Sequence, residues 1–593
     1  MLFGKHFRKY YAKYALFFLV GAAVLIVVDW IQLDIPKLVG GIIDSLRQEI
    51  VDVDYVENAI IRIGVLALII TAGRFLWRYT IFGASRRIEY NLRNAMFGHA
   101  TNLSQSYYSQ EKVGGLMTYF INDLEAIRMA FGPGILMLID GLMLGGFALY
   151  RMFNLNVMLT LIATVPMIAL TVILVFIRKK ISAKFKERQK AFENLSDFTQ
   201  ENFSGITVIK AFVREMKEYM FFQKKNEELY DKNFQFVKYI VAVNISIGIA
   251  LNLVILTIIT FGSFLVINRT ATGLTAGQLT EYMSYFFSLI WPVMALSQFI
   301  QIQSQAKASA SRIEKFLDAP IEVQDAKEAL SFDYLQGSIQ VQNLTFKYPD
   351  GDKPVLEDVS FEIKKGEMVG ILGRTGSGKS SLVDLLLRIY NLDEDRIFID
   401  GHDIMKLSIK TVRQTIGYVP QDNFLFSDSI TNNIGFAYET PDQDVVKDSA
   451  KLADVYDNVM EFKDQFDTVL GERGVTVSGG QKQRISIARA LAKNPEVLIL
   501  DDSVSAVDTK TEEAIISNLH RVRKGKTTIF IAHRISTVKK MDKIILLDQG
   551  KISAIGSHQQ LMKTSPLYQD MVRRQTLENL VQGGGITHEG LQG

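Results

Sequence analysis

Six apolar segments in the first half of the chain constrain its fold more than any other feature. Each is close to the length that crosses the hydrocarbon core of a bilayer, which takes about 20 residues of helix. Backbone groups in lipid find no water to bond, so segments of this kind must be helical. Residues 1–320 are therefore predicted to form an all-α membrane domain with spans at residues 15–33, 58–82, 133–153, 156–177, 240–268 and 281–303.

Two of these spans are weaker than the rest by hydropathy. Arg62 and Arg74 lie in the second span, and three glutamines follow Pro292 in the sixth, at Gln298, Gln301 and Gln303. Ionisable residues are costly in lipid, so we expect these helices to turn one face towards other helices or water.

The charges between the spans predict the orientation of the membrane domain. Segments 83–132 and 178–239 are long and rich in Lys and Arg, whereas residues 34–57 carry more acid than base. By the positive-inside rule, the two long segments and the basic N-terminus face the cytoplasm. No small-residue cleavage site follows the first apolar segment, which favours a membrane span over a removed signal peptide. Helical spacing of apolar residues predicts that the long segments are helices extending beyond the bilayer, rather than disordered loops.

Composition excludes several classes of function. The 593 residues carry a formal net charge of only +3, which argues against nucleic acid as a partner. The sequence contains no cysteine, so structural disulfides, thiolate zinc sites and cysteine nucleophiles are excluded.

The second half of the chain has a different character. Residues 321–336 are polar and acidic, as expected of a linker. In residues 337–575, short β-rich runs alternate with helical patterns, which predicts an α/β domain with a largely parallel sheet. Residues 576–593 are Gly-rich and are predicted to be a flexible tail without an assigned function.

A glycine-rich loop, "GRTGSGKSS", stands between a predicted strand and a predicted helix. Glycines at this spacing permit a tight loop whose N–H groups point inward and bind phosphate. Lys379 is predicted to reach the β- and γ-phosphates of a nucleotide, and the Ser380 hydroxyl to coordinate Mg²⁺. The loop residues assigned to nucleotide binding are Gly373, Arg374, Thr375, Gly376, Ser377, Gly378, Lys379, Ser380 and Ser381.

Two further motifs follow in the same domain. The strand "VLIL" ends in Asp501, a position that suits a partner of Mg²⁺, although a solvated strand-end acid would look the same. Before it, "VSGGQKQRISIARAL" places Ser478 and two glycines at a helix start, a second candidate site for phosphate. Because the chain already has a phosphate loop, the second site is predicted to serve another subunit's nucleotide.

Together these motifs resemble those of a half-transporter of the ATP-binding cassette exporter family, over residues 10–575. The resemblance implies six transmembrane helices with long cytoplasmic extensions, followed by an α/β phosphate-loop cassette that binds ATP and Mg²⁺. It also implies that two cassettes meet head to tail. The residues that would contact the partner's nucleotide are Ser478, Gly479, Gly480 and Gln481. The preceding residue is Val477, where the family usually has leucine.

The resemblance implies roles for further positions in the cassette. Tyr348 corresponds to the aromatic residue that stacks on adenine, although an ordinary turn tyrosine is the alternative. Gln421 corresponds to the glutamine near Mg²⁺, and His533 to the histidine that holds the γ-phosphate. Asp508 ends "SAVD", residues 505–508, which resembles the loop that crosses to the other site. "GERG", residues 471–474, resembles a segment that senses the membrane helices.

Two membrane-domain segments resemble the regions that contain coupling helices. They are "GGLMTYFINDLEAIR", residues 114–128, and "ENFSGITVIKAFVRE", residues 201–215. In the family, such helices seat on the cassettes. Ordinary helix packing is the alternative interpretation.

One position departs from the family pattern. Glutamate normally follows the magnesium aspartate and polarises the attacking water, but this chain has Asp502. Aspartate is shorter by one methylene, about 1.5 Å of reach, and a misplacement of about 1 Å can cost roughly 100-fold in rate. Such a site is typical of heterodimeric exporters with one degenerate site, in which this chain would bind ATP and hydrolyse it slowly. A homodimer that uses aspartate is the alternative.

The predicted function is ATP-driven efflux across the cell membrane by alternating access, with a second half-transporter as partner. The aromatic and methionine content of the sixth span favours lipophilic small-molecule substrates, although a packed helix interface has the same composition. Asp140 in the third span is a candidate substrate contact or an interhelical partner. Lipid or peptide export remains open, and an ATP-gated channel or regulator is a further alternative.

Overall fold

The structure is a computed structural model that describes residues 4–111, 113–267, 273–471, 477–503 and 507–582. The chain divides into two compact units, Met1–Gly98 with Gly114–Asp318 and His99–Val113 with Ala319–Gly593.

The first unit is helical in the residues that the structure describes. Its α-helices are Lys5–Lys13, Ala15–Gln32, Asp34–Leu46, Val53–Ala100, Val113–Thr118, Leu124–Met129, Ile135–Leu155, Val157–Ser204, Ile206–Ala211, Glu215–Ile267, Ala276–Ser288 and Ile290–Leu317, with π-helical turns at Tyr119–Asp123 and Ala130–Gly134. The prediction of an all-α membrane domain is confirmed.

Within the described part of the chain, five helical stretches are long and apolar enough to cross a membrane. They are Ala15–Leu46, Val53–Ala100, Gly114–Leu155, Glu215–Ile267 and Ala276–Leu317. The remaining predicted span, residues 156–177, falls in the helix Val157–Ser204, whose described apolar part is Val157–Pro166. The prediction that the second span has low hydropathy is wrong, because its best 18-residue window reaches a mean hydropathy of 2.0. The last stretch is the least apolar of the five, at 1.4.

Three helices are much longer than a bilayer is thick. Val53–Ala100 and Val157–Ser204 have 48 residues each, and Glu215–Ile267 has 53. At about 1.5 Å per residue they extend over roughly 70–80 Å, against a hydrocarbon core of about 30 Å. The predicted helical extensions beyond the bilayer are therefore confirmed.

The second unit includes a piece that the sequence did not single out, residues 99–113. Ser104 donates a hydrogen bond of 2.7 Å to the carboxylate of Glu322, and Ser106 donates to the same oxygen. These bonds hold the pKa of Glu322 below its usual range. The predicted linker is thus fastened within this unit, where Leu335 is also buried.

In the described residues, the cassette contains ten strands in two sheets. The strands are β1 Ile339–Phe346, β2 Leu356–Ile363, β3 Met368–Leu372, β4 Ile397–Ile399, β5 His402–Asp403, β6 Ile416–Val419, β7 Val497–Asp501, β8 Thr527–Ala532, β9 Lys543–Asp548 and β10 Lys551–Gly556. A six-stranded sheet has the order β10-β9-β3-β8-β7-β6 and is parallel except for the β9–β10 pair. A four-stranded antiparallel sheet has the order β2-β1-β4-β5.

The parallel sheet has a hydrophobic core on each face. In β7, Leu498 and Leu500 join one buried cluster, while Val497 and Ile499 join the other. Side chains alternate across a strand, so a strand covered on both faces is apolar throughout. The predicted α/β sheet is confirmed, whereas the separate antiparallel sheet was not predicted.

Helices surround these sheets. The α-helices of the second unit are Gln105–Gln110, Lys379–Leu386, Ile409–Thr415, Ile430–Ile434, Gln443–Leu452, Tyr456–Met460, Gly479–Ala492, Thr509–Val522, Ile535–Val538, His558–Thr564 and Pro566–Gln582, with a 3₁₀ turn at Gln465–Asp467. The last helix continues past residue 576, where a flexible tail was predicted, and it packs Met571 and Val572 against the core. Residues 583–593 lie outside the described part.

Candidate functional site

The phosphate loop connects β3 to the helix Lys379–Leu386. Gly376 and Gly378 have backbone φ values of +81° and +98°, which residues with a Cβ rarely adopt. A Cβ at Gly378 would also lie 2.7 Å from Leu356 Cδ2. The loop therefore requires glycine at these positions, and its conformation directs the chain into the helix.

Lys379 lies at the centre of this loop. Its side chain is buried, and Nζ donates to the carbonyl oxygens of Gly373 and Arg374, both at 2.9 Å. Burial lowers the pKa of Lys379, while the carboxylates of Asp501 and Asp502 oppose that shift. An ammonium group held in this way is a fixed positive charge at the start of a helix, where phosphate binds readily.

Asp501 ends β7 beside this loop and is 3% exposed. The hydroxyl groups of Ser380 and Tyr418 lie near its carboxylate and favour its charged form. Burial and then Asp502 raise the pKa of Asp501, and Lys379 partly offsets this shift. A hydroxyl and a carboxylate are the oxygen ligands that Mg²⁺ prefers, so Ser380 and Asp501 fit that ion.

Asp502 has an unusual backbone conformation for a residue at a strand end. Its φ is +45°, a region in which Asp and Asn are tolerated better than longer side chains. Its N–H donates to Ile531 O at 2.8 Å, and its carbonyl accepts from Gln483 Nε2 at 3.1 Å. The backbone of Asp502 is thus fixed from both sides.

His533 joins the same group of residues. The ring lies within hydrogen-bonding reach of the Gly373 backbone and within electrostatic range of Lys379 and Asp502. Burial, and then the charge of Lys379, lower its pKa, which favours a neutral ring. We call Lys379, Asp501, Asp502 and His533 the phosphate-loop cluster.

A residue that the sequence did not indicate holds the turn after His533. Gln575, in the last helix, accepts from Ile535 N at 2.7 Å and donates through Nε2 to the His533 carbonyl. In the same helix, a carboxylate oxygen of Asp570 lies 3.8 Å from a guanidinium nitrogen of Arg374 in the phosphate loop. No local pattern could have identified Gln575, because its partners are about 40 residues away in sequence.

Tyr348 contacts the other side of the loop. Its hydroxyl donates to Ser381 Oγ at 2.8 Å, and its ring packs edge-on to Tyr390 at a centroid distance of 5.1 Å. Burial raises the pKa of Tyr348. Tyr348 is therefore close to the nucleotide loop, and its stacking on adenine stays a prediction.

The remaining loop positions divide by exposure. Ser377 is buried, whereas Arg374 and Thr375 are exposed at the tip of the loop. Gln421 is also exposed and, within the described residues, its side chain forms no hydrogen bond with the phosphate-loop cluster. Its predicted role near Mg²⁺ stays a prediction.

The second predicted phosphate site is a separate helix start. Ser478 is exposed and caps the helix Gly479–Ala492, where its hydroxyl accepts from Gln481 N and its own N–H donates to Gln481 Oε1. A Cβ at Gly479 would meet no atom within 4 Å. Gly480 lies in the first turn of the same helix. We call this exposed start, residues 478–481, the signature helix start.

Asp508 also caps a helix. Its carboxylate accepts from Lys510 N at 3.1 Å and Thr511 N at 3.0 Å, and these bonds lower its pKa. Residues 504–506 of the crossing loop and 472–474 of the membrane-sensing segment lie outside the described residues.

Comparison with known proteins decides the family. The family model described as "ABC transporter transmembrane region" matches residues 18–293, and "ABC transporter" matches residues 356–505. The chain is 35% identical over 575 residues to the multidrug resistance-like ATP-binding protein MdlA of Escherichia coli (strain K12), covering 97% of this chain and 96% of that protein. The chain belongs to the ABC transporter family.

Two further comparisons agree. The probable multidrug resistance ABC transporter ATP-binding/permease protein YheI of Bacillus subtilis (strain 168) is 34% identical, covering 98% of both chains. A bacterial Atm1-family ABC exporter solved with ATP bound matches with a TM-score of 0.74 and 26% identity, covering 96% of this chain and 98% of that one. The chain is thus an ABC exporter half-transporter, a multi-pass membrane protein that couples ATP hydrolysis to transport.

Proposed function

We propose that this ABC half-transporter exports lipophilic compounds as one subunit of a heterodimer, and that the nucleotide site on its own phosphate loop hydrolyses ATP slowly. The observation that carries the proposal is Asp502, which stands directly after Asp501 where the family pattern has glutamate. The named relatives MdlA and YheI, described as multidrug resistance proteins, support lipophilic compounds as cargo.

The backbone at Asp502 strengthens the argument from side-chain length. Both flanking hydrogen bonds fix its main chain, so a backbone shift cannot easily recover the missing methylene. A carboxylate displaced by about 1 Å from its water can lose roughly 100-fold in rate. Asp502 retains charge for weak general-base action, and binding by Lys379 does not depend on it.

ATP and Mg²⁺ would be held by different residues of the phosphate-loop cluster together with Ser380. Lys379 would pair with the β- and γ-phosphates, His533 would contact the γ-phosphate, and Ser380 with Asp501 would hold the metal. When bound, Mg²⁺ supplies positive charge that stabilises the phosphoryl oxygens. Ser478 to Gln481 would complete the competent site on the partner, and the segments 114–128 and 201–215 would transmit closure to the membrane helices.

The test compares steady-state ATPase activity of the full chain, purified alone in lipid nanodiscs, with that of Asp502→Glu. The natural chain should bind ATP with near-zero turnover, and Asp502→Glu should raise turnover at least 10-fold. Asp442→Glu is the matched control, because it lengthens an exposed helix-capping carboxylate outside the nucleotide site by the same methylene. Brisk turnover by the natural chain alone would instead establish a homodimer in which aspartate suffices.

A further inference from the structure

A cavity among the helices of the membrane unit contains charged groups that the nucleotide chemistry does not use. It has a volume of about 610 Å³, within the range of small-molecule sites. Its lining combines apolar side chains, two aspartates, two arginines and two tryptophans, and includes Asp29, Arg74, Trp77, Arg78, Asp140 and Trp291.

The two aspartates are the most buried charged residues of this cavity. Asp29 is 3% exposed and Asp140 is 9% exposed, and their carboxyl groups lie within hydrogen-bonding reach of each other. Trp291 Nε1 donates to Asp140 Oδ2, so Asp140 also makes the interhelical contact that was its alternative interpretation. Two carboxyl groups side by side in an apolar setting repel each other when both are charged, and either a proton or a bound cation relieves that repulsion.

Two polar atoms of this lining lack partners. Asp29 Oδ2 and Trp77 Nε1 are both buried, and neither has a hydrogen-bond partner among the described residues. A buried polar atom without a partner is costly, so each atom calls for a ligand group. Asp29 requires a donor and Trp77 requires an acceptor.

The two arginines are already engaged and lie nearer the outside. Arg74 donates to Gln32 Oε1 at 2.8 Å, and the Arg78 guanidinium lies 5.4 Å from the centre of the Trp77 ring. Both arginines are exposed, whereas the aspartates are buried. Arg74 lies within electrostatic range of Asp29 but, among the described residues, forms no ion pair with it. The buried end of the cavity is therefore acidic, which favours a cation over an anion.

We propose that this cavity binds a lipophilic amine in its protonated form. The ammonium group donates to Asp29, an oxygen of the same ligand accepts from Trp77, and the apolar body packs against Leu25, Val28 and Leu136 of the lining. The inference rests on the proposed export of lipophilic compounds and specifies that these compounds carry a positive charge.

The experiment measures binding to the full chain in nanodiscs with three dansyl probes of the same length. They are monodansyl-1,6-diaminohexane, its neutral N-acetyl derivative and the acid 6-(dansylamino)hexanoic acid. Two of the three tryptophans in the chain line the cavity, so energy transfer from tryptophan to dansyl reports occupancy. Empty nanodiscs correct for probe that partitions into lipid.

The amine should bind about 10-fold or more tightly than the acetyl derivative, because an ionic hydrogen bond is lost on acetylation. Asp29→Asn should weaken amine binding by about 10-fold and leave the acetyl derivative unchanged. The matched control, Asp54→Asn, removes an exposed carboxylate outside the cavity and should change neither. Unchanged binding of the acetyl derivative shows that the membrane unit of each variant is folded. The amine-to-acetyl ratio of the natural chain tests the site even if Asp29→Asn fails to fold.

Equal binding of the amine and the acetyl derivative, tightest binding of the acid, or equal effects of Asp29→Asn and Asp54→Asn would each overturn the assignment. ATP-driven uptake of the probes into inverted vesicles separates this result from the proposed function. Uptake without preference for the amine contradicts the cavity assignment alone. Selective amine binding without uptake of any probe contradicts export alone.

Discussion

The phosphate-loop cluster and the signature helix start are the two regions proposed to contact nucleotide, and they are built differently. Lys379 and Asp501 are buried, and several elements of the cassette contact them. Ser478 is exposed, and the hydrogen bonds described for it are with Gln481 and Lys482 of its own helix.

This difference indicates where each half finds its partners. A buried cluster with fixed dipoles is preorganised within one chain, at the cost of desolvating its charges. An exposed helix start still offers free N–H groups, which only a group from outside can satisfy. The following predictions test whether one half binds this chain's nucleotide and the other serves another subunit.

The largest effect is expected for Lys379→Ala. The substitution removes the fixed cation and its bonds to Gly373 and Arg374, and charge-assisted phosphate contacts are strong. ATP binding to the full chain, measured at equilibrium in nanodiscs, should weaken roughly 100-fold. Lys510→Ala is the control, because that lysine is exposed and only its backbone N–H bonds to Asp508. A loss of less than about 3-fold would place the phosphate elsewhere.

Ser478→Ala tests the other half against a matched site. Ser557 forms the same capping box with Gln560 at the start of His558–Thr564, so each alanine variant should lose about 1 kcal/mol of helix stability. ATP binding by this chain should be unchanged in both. ATPase turnover of the assembled transporter should fall at least 10-fold in Ser478→Ala alone. Equal turnover in the two variants would reduce Ser478 to a helix cap.

Gln575→Ala tests how the phosphate-loop cluster is supported from the last helix. The variant removes the hydrogen bonds that Gln575 forms with the His533 carbonyl and the Ile535 N–H. The ring of His533 should therefore shift, although the imidazole group itself is unchanged. In the Asp502→Glu background, in which this chain's own site is expected to turn over, kcat should fall roughly 10-fold with little change in KM for ATP.

Its control is Gln569→Ala in the same helix, which removes a bond to the Met562 carbonyl away from His533. Parallel losses in both variants would indicate that the helix acts only through general stability.

The smallest effect is expected for Asp384→Asn in the helix after the phosphate loop. Burial, and then Asp501, raise the pKa of Asp384 to about 6. A folded-state pKa above the unfolded value means that the folded state binds the proton more tightly, so stability falls as pH rises from about 4 to 6.

Asp384→Asn should remove this pH dependence and stabilise the cassette by about 1 kcal/mol at pH 7. Calorimetry of the full chain at pH 5 and 7, following the transition that ATP shifts, measures the effect. Asp393→Asn, an exposed carboxylate nearby, should leave the pH dependence intact. The same slope in both variants would show that Asp384 is not the titrating group.

Much of the site could be predicted because its residues are contiguous or end a strand. The glycines before Lys379 and the acid after "VLIL" report on local backbone geometry, and the structure brings these motifs together. Gln575 could not be predicted in this way, since a glutamine in an amphipathic helix has no distinctive pattern. The packing of residues 99–113 with Glu322 was missed for the same reason.

The membrane helices, the α/β cassette and the phosphate loop follow from the amino-acid sequence, because hydropathy, periodicity and glycine spacing are local properties of the chain. The folded structure was needed to show that two distant partners fix Asp502 at φ +45° and that Asp29 lies beside Asp140. Burial and charge pairing depend on residues far apart in sequence, so packing alone reveals which carboxylates lack a partner.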